Sequence, residues 1–492
     1  MKKNILSLTL ALLLLSGVVA GALISCGSAP TPADRGDDTT AEEEETTVSP
    51  EQQLFDALAV KDYGGYEFRV MTAFSNYAIT AFDFDTMSGE LIEDTIYNRN
   101  RAVEEKLNVR IINTKGADGD YGAVDNMLRK NAASGDDMFD LMFSEAGISG
   151  KSAAGGYMLN LLEIPGVEWS NPWWEQNAVE LYQISDRLFY TYSPMHLHYY
   201  ESVIAPCFNK TVAKNYGIED LYKTVRDKKW TLDRMFEIAS SVNIDLDGDG
   251  AMNSANDLFG IDASTITLCY FVLGAGGSFI ERSGDSVTYD GLSERVVSIA
   301  EKMQTIFSDK AKYIGYDTPG NESYNNGYIG AFTSNHALFF VDVLGEVRGL
   351  RAMDADFGIL PMPMFDESQP DYLSTCYCGA AIMFVPVSNA AYAENGPILE
   401  MLGAYSYRDL KPAYYEINIQ GKVTRDEESV EMLKILTDNM TFDLGLLLQL
   451  GGMNGKFNEV AMSTKSPVTE FEKIANKIGG DLEKLLESYE NL

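Results

Sequence analysis

The chain has 492 residues, of which 45% are hydrophobic and 23% charged, the balance of a folded protein rather than a disordered one. At roughly 150 residues per domain this length suggests about three domains, or two large ones. Lys and Arg number 38 against 73 Asp and Glu, a formal net charge of −35. Such a balance argues against partners with phosphate backbones and against adhesion to an anionic leaflet through a basic face.

The chain opens with Lys2 and Lys3, continues through an apolar run from Ile5 to Leu15, and turns small from Gly17 to Ser25 before Cys26. This is the three-part layout of an export signal, although ~20 uncharged residues are also long enough to span a bilayer. Leu23-Ile-Ser-Cys26-Gly27 decides between the two, because it resembles the lipobox of bacterial lipoproteins. The resemblance implies a signal peptide over 1–25, palmitate-type diacylation at Cys26, and a lipid anchor on the outer face of the cell membrane. Two acyl chains suffice for stable anchoring. Residues 26–53, with the run Glu42–Glu45 among threonines, are expected to form an acidic disordered tether. Cys207, Cys269, Cys376 and Cys378 are expected to be buried free thiols, although an exported chain is permitted disulfides.

Tyr66–Thr72 (YEFRVMT) reads as a strand, and in Leu91–Leu107 the residues Ile92, Ile96, Val103 and Leu107 recur at helical spacing. Val109–Asn113 reads as a second strand, Tyr121–Ser134 as a helix closed by Gly135, and Phe139–Phe143 as a third strand. The order β-α-β-α-β with short connections predicts a mainly parallel sheet with helices on its faces. Ligands bind beyond the strand C-termini of such sheets, which points to Phe74, Ser75 and Asn76 after the first strand and Ser144 and Glu145 after the third. Beyond residue 165 a second α/β region is expected to hold Leu188–Tyr192, Val203–Asn209 and a helix over Leu232–Val242 with Thr231 as its N-cap. Ala337–Val343 and Phe357–Leu360 read as further strands, and the last hundred residues as largely helical.

Asn171-Pro-Trp-Trp174, Phe208-Asn-Lys210, Lys229-Trp-Thr-Leu-Asp233, Phe357-Gly-Ile-Leu-Pro361, Lys411-Pro-Ala-Tyr-Tyr415 and Val423-Thr-Arg-Asp426 follow one another along the chain. Together they resemble landmarks of the family 1 extracellular solute-binding proteins of ABC importers. The resemblance implies a two-lobed, periplasmic-binding-protein-like α/β fold of type II, with a hinge between lobes that close on a ligand, and delivery to an ABC permease in the membrane. On that plan 54–165 open the first lobe, 166–325 form the second, 326–385 return to the first, and 386–492 are a helical part on the second lobe and hinge. By position in the family, Ser264, Thr265 and Asp342 are implied to face the cleft. The expectation is a monomeric, non-catalytic binding protein for a sugar or oligosaccharide, without a nucleic-acid partner. Its rivals are a binding lipoprotein that serves a sensor or captures surface glycan, and an exported glycoside hydrolase using two of the many carboxylates.

The sharpest local motif is Asp245-Leu-Asp247-Gly-Asp249-Gly-Ala251, with carboxylates at loop positions 1, 3 and 5, glycine at 6 and a backbone carbonyl from Ala251 at 7. That is the spacing of a structural calcium loop. Asn256 stands where the bidentate Glu belongs, so Asp257, one step later, is expected to reach in through a bulge. The bland alternative is an acidic turn capped by its own side chains. Trp173, Trp174, Tyr199, Tyr200 and Trp230 offer faces on which a sugar ring can stack, each of them more readily explained as core packing. His196-Leu-His198 would set two imidazoles on one face of a strand, more simply a polar pair near the hinge than a metal site with His336. Glu145-Ala-Gly-Ile-Ser-Gly-Lys-Ser152 ends like a phosphate loop but carries Glu145 in place of the first glycine. Neither H-E-x-x-H nor G-x-S-x-G occurs.

Overall fold

A computed structural model describes residues 49–73, 81–116, 120, 122–283, 286–315, 318, 328–347, 349–350, 353–414 and 427–492. Cys26, most of the tether, Phe74, Ser75 and Asn76, Tyr415 and Val423–Asp426 lie outside the described residues.

The first sheet begins as expected. Strand β1 (Tyr66–Thr72) is followed by the helix Leu91–Leu107, which buries Ile92, Ile96, Val103 and Leu107 and stops at Asn108 in the left-handed region (φ 51°). That turn delivers the chain directly into β2 (Val109–Lys115), parallel to β1 and in register from Tyr66↔Val109 to Thr72↔Lys115. The next helix, Ala123–Ser134, ends at Gly135 (φ 74°), a conformation glycine adopts without strain. Strand β3 is Leu141–Glu145, two residues beyond the expected span. Just before it, Asp140 donates its backbone N–H to Arg69 O (2.8 Å), and its buried carboxylate accepts from the Arg69 backbone N–H (2.7 Å), the Tyr66 hydroxyl (2.6 Å) and the Arg69 guanidinium (2.9 Å).

Two more strands complete this sheet, in the order β2-β1-β3-β12-β4. Strand β4 (Thr191–Tyr192) pairs antiparallel with β12 (Ala381–Phe384), which pairs antiparallel with β3. Leu188–Tyr192, expected in the second α/β region, therefore contributes its strand to the first sheet.

The second sheet has the order β11-β5-β10-β6-β9, formed by β5 (Ile204–Asn209), β6 (Phe259–Ala263), β9 (Tyr313–Ile314), β10 (Ala337–Val343) and β11 (Phe357–Ile359). A separate hairpin joins β7 (Ile280–Ser283) to β8 (Ser286–Tyr289). Strands β10 and β11 fall inside the stretch 326–385 expected to return to the first lobe, yet only β12 does so. The run ALFFVDV of β10 is buried throughout, which announces a central strand but not which sheet it joins.

The chain crosses between the sheets twice, from β4 to β5 and from β11 to β12, and the two crossings run side by side. Val203 bridges Cys376, Ile204 N–H donates to Thr375 O (3.0 Å), and Tyr377 N–H donates to Ser202 O (2.9 Å). Arg99 of the helix Leu91–Leu107 holds the first crossing from the first-lobe side, donating to Met195 O (2.6 Å) and to Ser406 Oγ (3.1 Å). Its burial pushes the guanidinium down to about 10.

The C-terminal part is helical, but it serves both lobes rather than the second lobe and hinge alone. Helix Tyr392–Tyr405 packs on Leu91–Leu107, whereas Glu427–Asp438 lies on β11, where Tyr222 Oη and Ser429 Oγ are 2.7 Å apart. Helix Met453–Ala461 packs on Glu294–Phe307 of the second lobe. Cys207, Cys269, Cys376 and Cys378 are buried free thiols.

Candidate functional site

Between the lobes, three stretches meet: the end of β3, the second crossing, and the turns after β6 and β10. At the end of β3 the amide of Ala146 donates to Ala380 O (3.1 Å) and that of Gly147 to Cys378 O (2.9 Å). A Cβ on Gly147 would lie 2.5 Å from Gln449 Nε2, so a larger residue here would displace the Gln449 side chain. Gln449 donates to Cys378 Sγ (3.4 Å), and the Cys378 amide donates to the Tyr270 hydroxyl (2.7 Å). Tyr270 in turn meets the ring of Tyr377 edge-on at 5.9 Å.

On the second-lobe side, β6 runs out into the turn Ser264–Thr267, closed by Thr267 N–H to Ser264 O (3.0 Å) and tied to β10 by Ser264 N–H to Val341 O (3.3 Å). Beside it lies a cavity of about 30 Å³ lined by Ser264, Ile266, Thr267, Asp342, Val343 and Glu346, with Tyr377 from the crossing. Asp342 Oδ1 accepts its neighbour's amide, Val343 N–H (2.7 Å), while Oδ2 has no hydrogen-bond partner among the described residues. Asp262 of β6 sits opposite Phe340, so it shares a sheet face with Asp342, two residues further along β10. It is fully buried, and neither of its oxygens has a hydrogen-bond partner among the described residues. Burial first, and the charge of Asp342 second, push its carboxyl well above the usual carboxylate range. Burial does the same to Asp342, opposed by the Val343 amide.

The expected ligand residues divide between this place and others. Ser264 and Asp342 line the cavity, and Thr265 is half-buried in the same turn. Ser144 is fully buried and accepts from Ser149 Oγ (2.8 Å), and half-buried Glu145 ends β3 close enough to bear on the Cys378 thiol. Trp173 and Trp174 do not face this cavity. Both are buried and donate their indole N–H groups to Glu400 of helix Tyr392–Tyr405 (3.1 and 3.2 Å), joined there by Asn171 Nδ2 (2.6 Å). Tyr199 and Tyr200 line, with the two tryptophans, a separate cavity of about 40 Å³, and Tyr199 donates to Glu175 (2.7 Å). Trp230 is core, its indole donating to Pro361 O (2.9 Å). Sequence reasoning passed over Asp262, Thr267, Tyr270, Glu346, Tyr377 and Gln449. The signal available was Asp262 itself, a carboxylate inside the otherwise apolar run FGIDA that leads into a Ser/Thr turn.

His196 and His198 lie on the first crossing, at the start of the short helix Leu197–Glu201 rather than on a strand, with His196 Nδ1 accepting from His198 N–H (3.1 Å). Burial lowers His198 to about 3, which keeps it neutral. His336 is remote from them in the chain, and its Nδ1 lies 2.9 Å from Asp257 O.

The acidic loop is pinned at its base by the antiparallel bridge Ile244↔Leu258. Asp245 accepts from Gly248 N–H (2.7 Å) and Gly250 N–H (2.8 Å), the second contributing most to holding its carboxyl below the usual range. Asp257 is fully buried and accepts from Leu246 and Asn253 N–H (both 2.8 Å). Asp245, Asp247 and Asp257 each offer a carboxylate oxygen within 4.8 Å of the others, a set that suits a hard cation. Asp249 stands outside that set and accepts from Ala251 N–H (2.8 Å).

Scans against protein-family models and curated proteins gave no match. Solved structures do match. The galacto-N-biose/lacto-N-biose I-binding protein of the ABC transporter from Bifidobacterium longum, in complex with lacto-N-biose, is 10% identical, covers 86% of this chain and 99% of its own, and superposes at a TM-score of 0.56. An ABC substrate-binding protein of Listeria monocytogenes in complex with cycloalternan is 11% identical, with coverage of 85% and 99% and a TM-score of 0.54. The maltose/maltodextrin-binding domain of Bdellovibrio bacteriovorus bound to maltotriose is 13% identical, with coverage of 85% and 100% and a TM-score of 0.52. The chain has the fold of these two-lobed substrate-binding proteins.

The buried acid pair makes a prediction about stability. An acid whose folded pKa is raised keeps its proton in the folded state where the unfolded chain, near 3.8, has released it. Stability therefore falls as pH rises above that value. Asp262→Asn removes this loss, so thermal denaturation at a series of pH values should show the variant gaining on the wild type above pH ~4, by at most about 1.4 kcal/mol per pH unit. A difference between the two that does not change with pH would mean that Asp262 ionises freely in the folded protein.

Proposed function

We propose that this chain is the solute-binding lipoprotein of an ABC importer, taking up a sugar or oligosaccharide between its lobes and presenting it to a membrane permease. The observation that carries the reading is the extent of the fold match: 85–86% of this chain against nearly whole proteins described as binding saccharides or serving ABC transporters. Topology supports it, since the two crossings run side by side and set one short axis between the sheets. Hinge closure around solute then gives a closed state for a permease to read. The same comparisons favour binding over catalysis. Purified protein screened against saccharides, peptides and polyamines at ~100 times the dissociation constant should gain about 2.7 kcal/mol with its cargo, read as a rise in melting temperature. The cargo should be recovered chemically unchanged. A saccharide returned cleaved would replace transport with hydrolysis.

In this reading Cys26 carries the lipid and the protein stands as a monomer on the outer face of the membrane. Cells fed labelled palmitate should mark the wild type and leave Cys26→Ala unmarked, and label persisting in the variant would refute the anchor.

Calcium belongs to the same proposal. Asp245, Asp247 and buried Asp257 would hold the ion, with Asp257 in the part of the missing Glu, and the ion would fix the loop without entering the binding chemistry. Asp245→Ala together with Asp247→Ala should lower the melting temperature only when calcium is present. Equal losses with and without the ion would leave a self-capped turn.

A further inference from the structure

We propose that the C-terminal helix Pro467–Glu490 is a strap between the lobes, fixed to the second lobe along its first half and docked by Tyr489 in a first-lobe socket that releases it when the lobes turn. The inference rests on the hinged, two-lobe reading above and adds to it a step that the crossings alone do not contain.

The helix has 24 residues and is therefore about 36 Å long. Its first half is held by the second lobe at several points. The ring of Phe471 stacks on Phe457 at 5.8 Å, and Glu470 pairs with Lys456 (3.4 Å). Gln304 of the helix Glu294–Phe307 donates to Lys465 O just before the strap begins (2.8 Å). Midway, Asp481 accepts from Gly451 N–H (3.1 Å) and Lys477 Nζ donates to Gly451 O (3.2 Å). The far end reaches the first lobe. Tyr489 is 1% exposed and meets the ring of Phe189 edge-on at 4.8 Å, with the phenol of Tyr190 beside it. Phe189 and Tyr190 lead directly into β4 of the first sheet. Leu492 lies over Gly156, where a Cβ would come within 2.8 Å of its Cδ2. The side chains of Ser488 and Asn491 bond back into the helix, to Lys484 O (2.7 Å) and Glu487 O (2.8 Å).

The physical argument concerns length. An α-helix does not stretch, because its backbone hydrogen bonds fix the rise of every residue. The seam of the two crossings joins the lobes once, and this helix joins them again through residues that take no part in the seam. A rotation that moves Phe189 relative to Phe457 changes the distance the helix has to span, so one of its ends lets go. Freeing the first half would break an ion pair and hydrogen bonds to backbone groups. Withdrawing the Tyr489 ring from an aromatic socket breaks a ring contact and strands no backbone donor or acceptor. The first-lobe end is the one that yields.

The test reads the distance between the lobes. Met138 of the first lobe and Tyr216 of the second are exposed, whereas Cys207, Cys269, Cys376 and Cys378 are buried. Met138→Cys and Tyr216→Cys, in the whole chain carrying Cys26→Ala, therefore take two spin labels. Double electron–electron resonance should give this parent one narrow distance distribution. Adding Tyr489→Ala should broaden or shift it, while Tyr489→Phe, which keeps the ring, should leave it unchanged. Phe189→Leu cuts the same socket from the first-lobe side and serves if Tyr489→Ala folds poorly. Folded Tyr489→Ala and Phe189→Leu proteins with the parent's distribution overturn the inference, as does a parent distribution already as broad as theirs. If a saccharide stabilises the protein while those distances stay unchanged in both variants, the strap fails and the solute-binding reading stands.

Discussion

The structure depends on the pairing of its two crossings. Ser202 and Ile204 on one segment exchange hydrogen bonds with Tyr377 and Thr375 on the other, so neither segment carries the junction between the sheets alone. Everything at the cleft is positioned from this seam. Tyr377 reaches the cavity because its own amide is fixed to Ser202, and Cys378 brings its amide to Tyr270 one residue later. Arg99 reinforces the seam from within the first lobe by capping Met195 O. Separating the two segments would expose several buried backbone groups at once.

The buried acids show how differently one residue type is treated in this chain. Asp443 is almost wholly enclosed and accepts from the amides of Phe279, Ile280 and Leu446, so it stitches the β7–β8 hairpin to the C-terminal part. Asp140 gathers Tyr66 and Arg69, and Glu400 gathers two indoles and an amide. Each is a structural node in which donors outnumber what the carboxylate strictly needs. Asp262 has no such donor among the described residues. Desolvation without donors is costly, and a position that keeps such a group at a cleft is set apart from the nodes by that cost.

Sequence periodicity disclosed the local elements and little about their partners. The first two strands and the helix Leu91–Leu107 were legible because amphipathic spacing and an immediate turn are properties of neighbouring residues. The allegiance of β4, β10 and β11 was not, since each pairs with a strand far away in the chain and all are buried on both faces. Trp173 and Trp174 mislead for the same reason. Their role is set by Glu400, more than two hundred residues later, and nothing near Asn171 announces it. The cleft was half legible: Ser264 and Asp342 were named through family position, while Glu346, Tyr377 and Asp262 acquire meaning only once β6, β10 and the second crossing are side by side. The acidic loop was legible through Asp245, Asp247 and Asp257, because its geometry is written within thirteen consecutive residues, although Asp249 falls outside the set they form.

The return of β12 to the first sheet also orders events in time. Strand β3 ends at Glu145, but the strand that must lie between it and β4 begins only at Ala381. All five strands of the second sheet fall in between, from Ile204 to Ile359. In a chain made from its N-terminus, the sheet that starts first is thus the one that must wait. Its inner slot stays open to late, long-range closure, a topology that disfavours premature folding. The sheet nearest the N-terminus is the last to have all its strands.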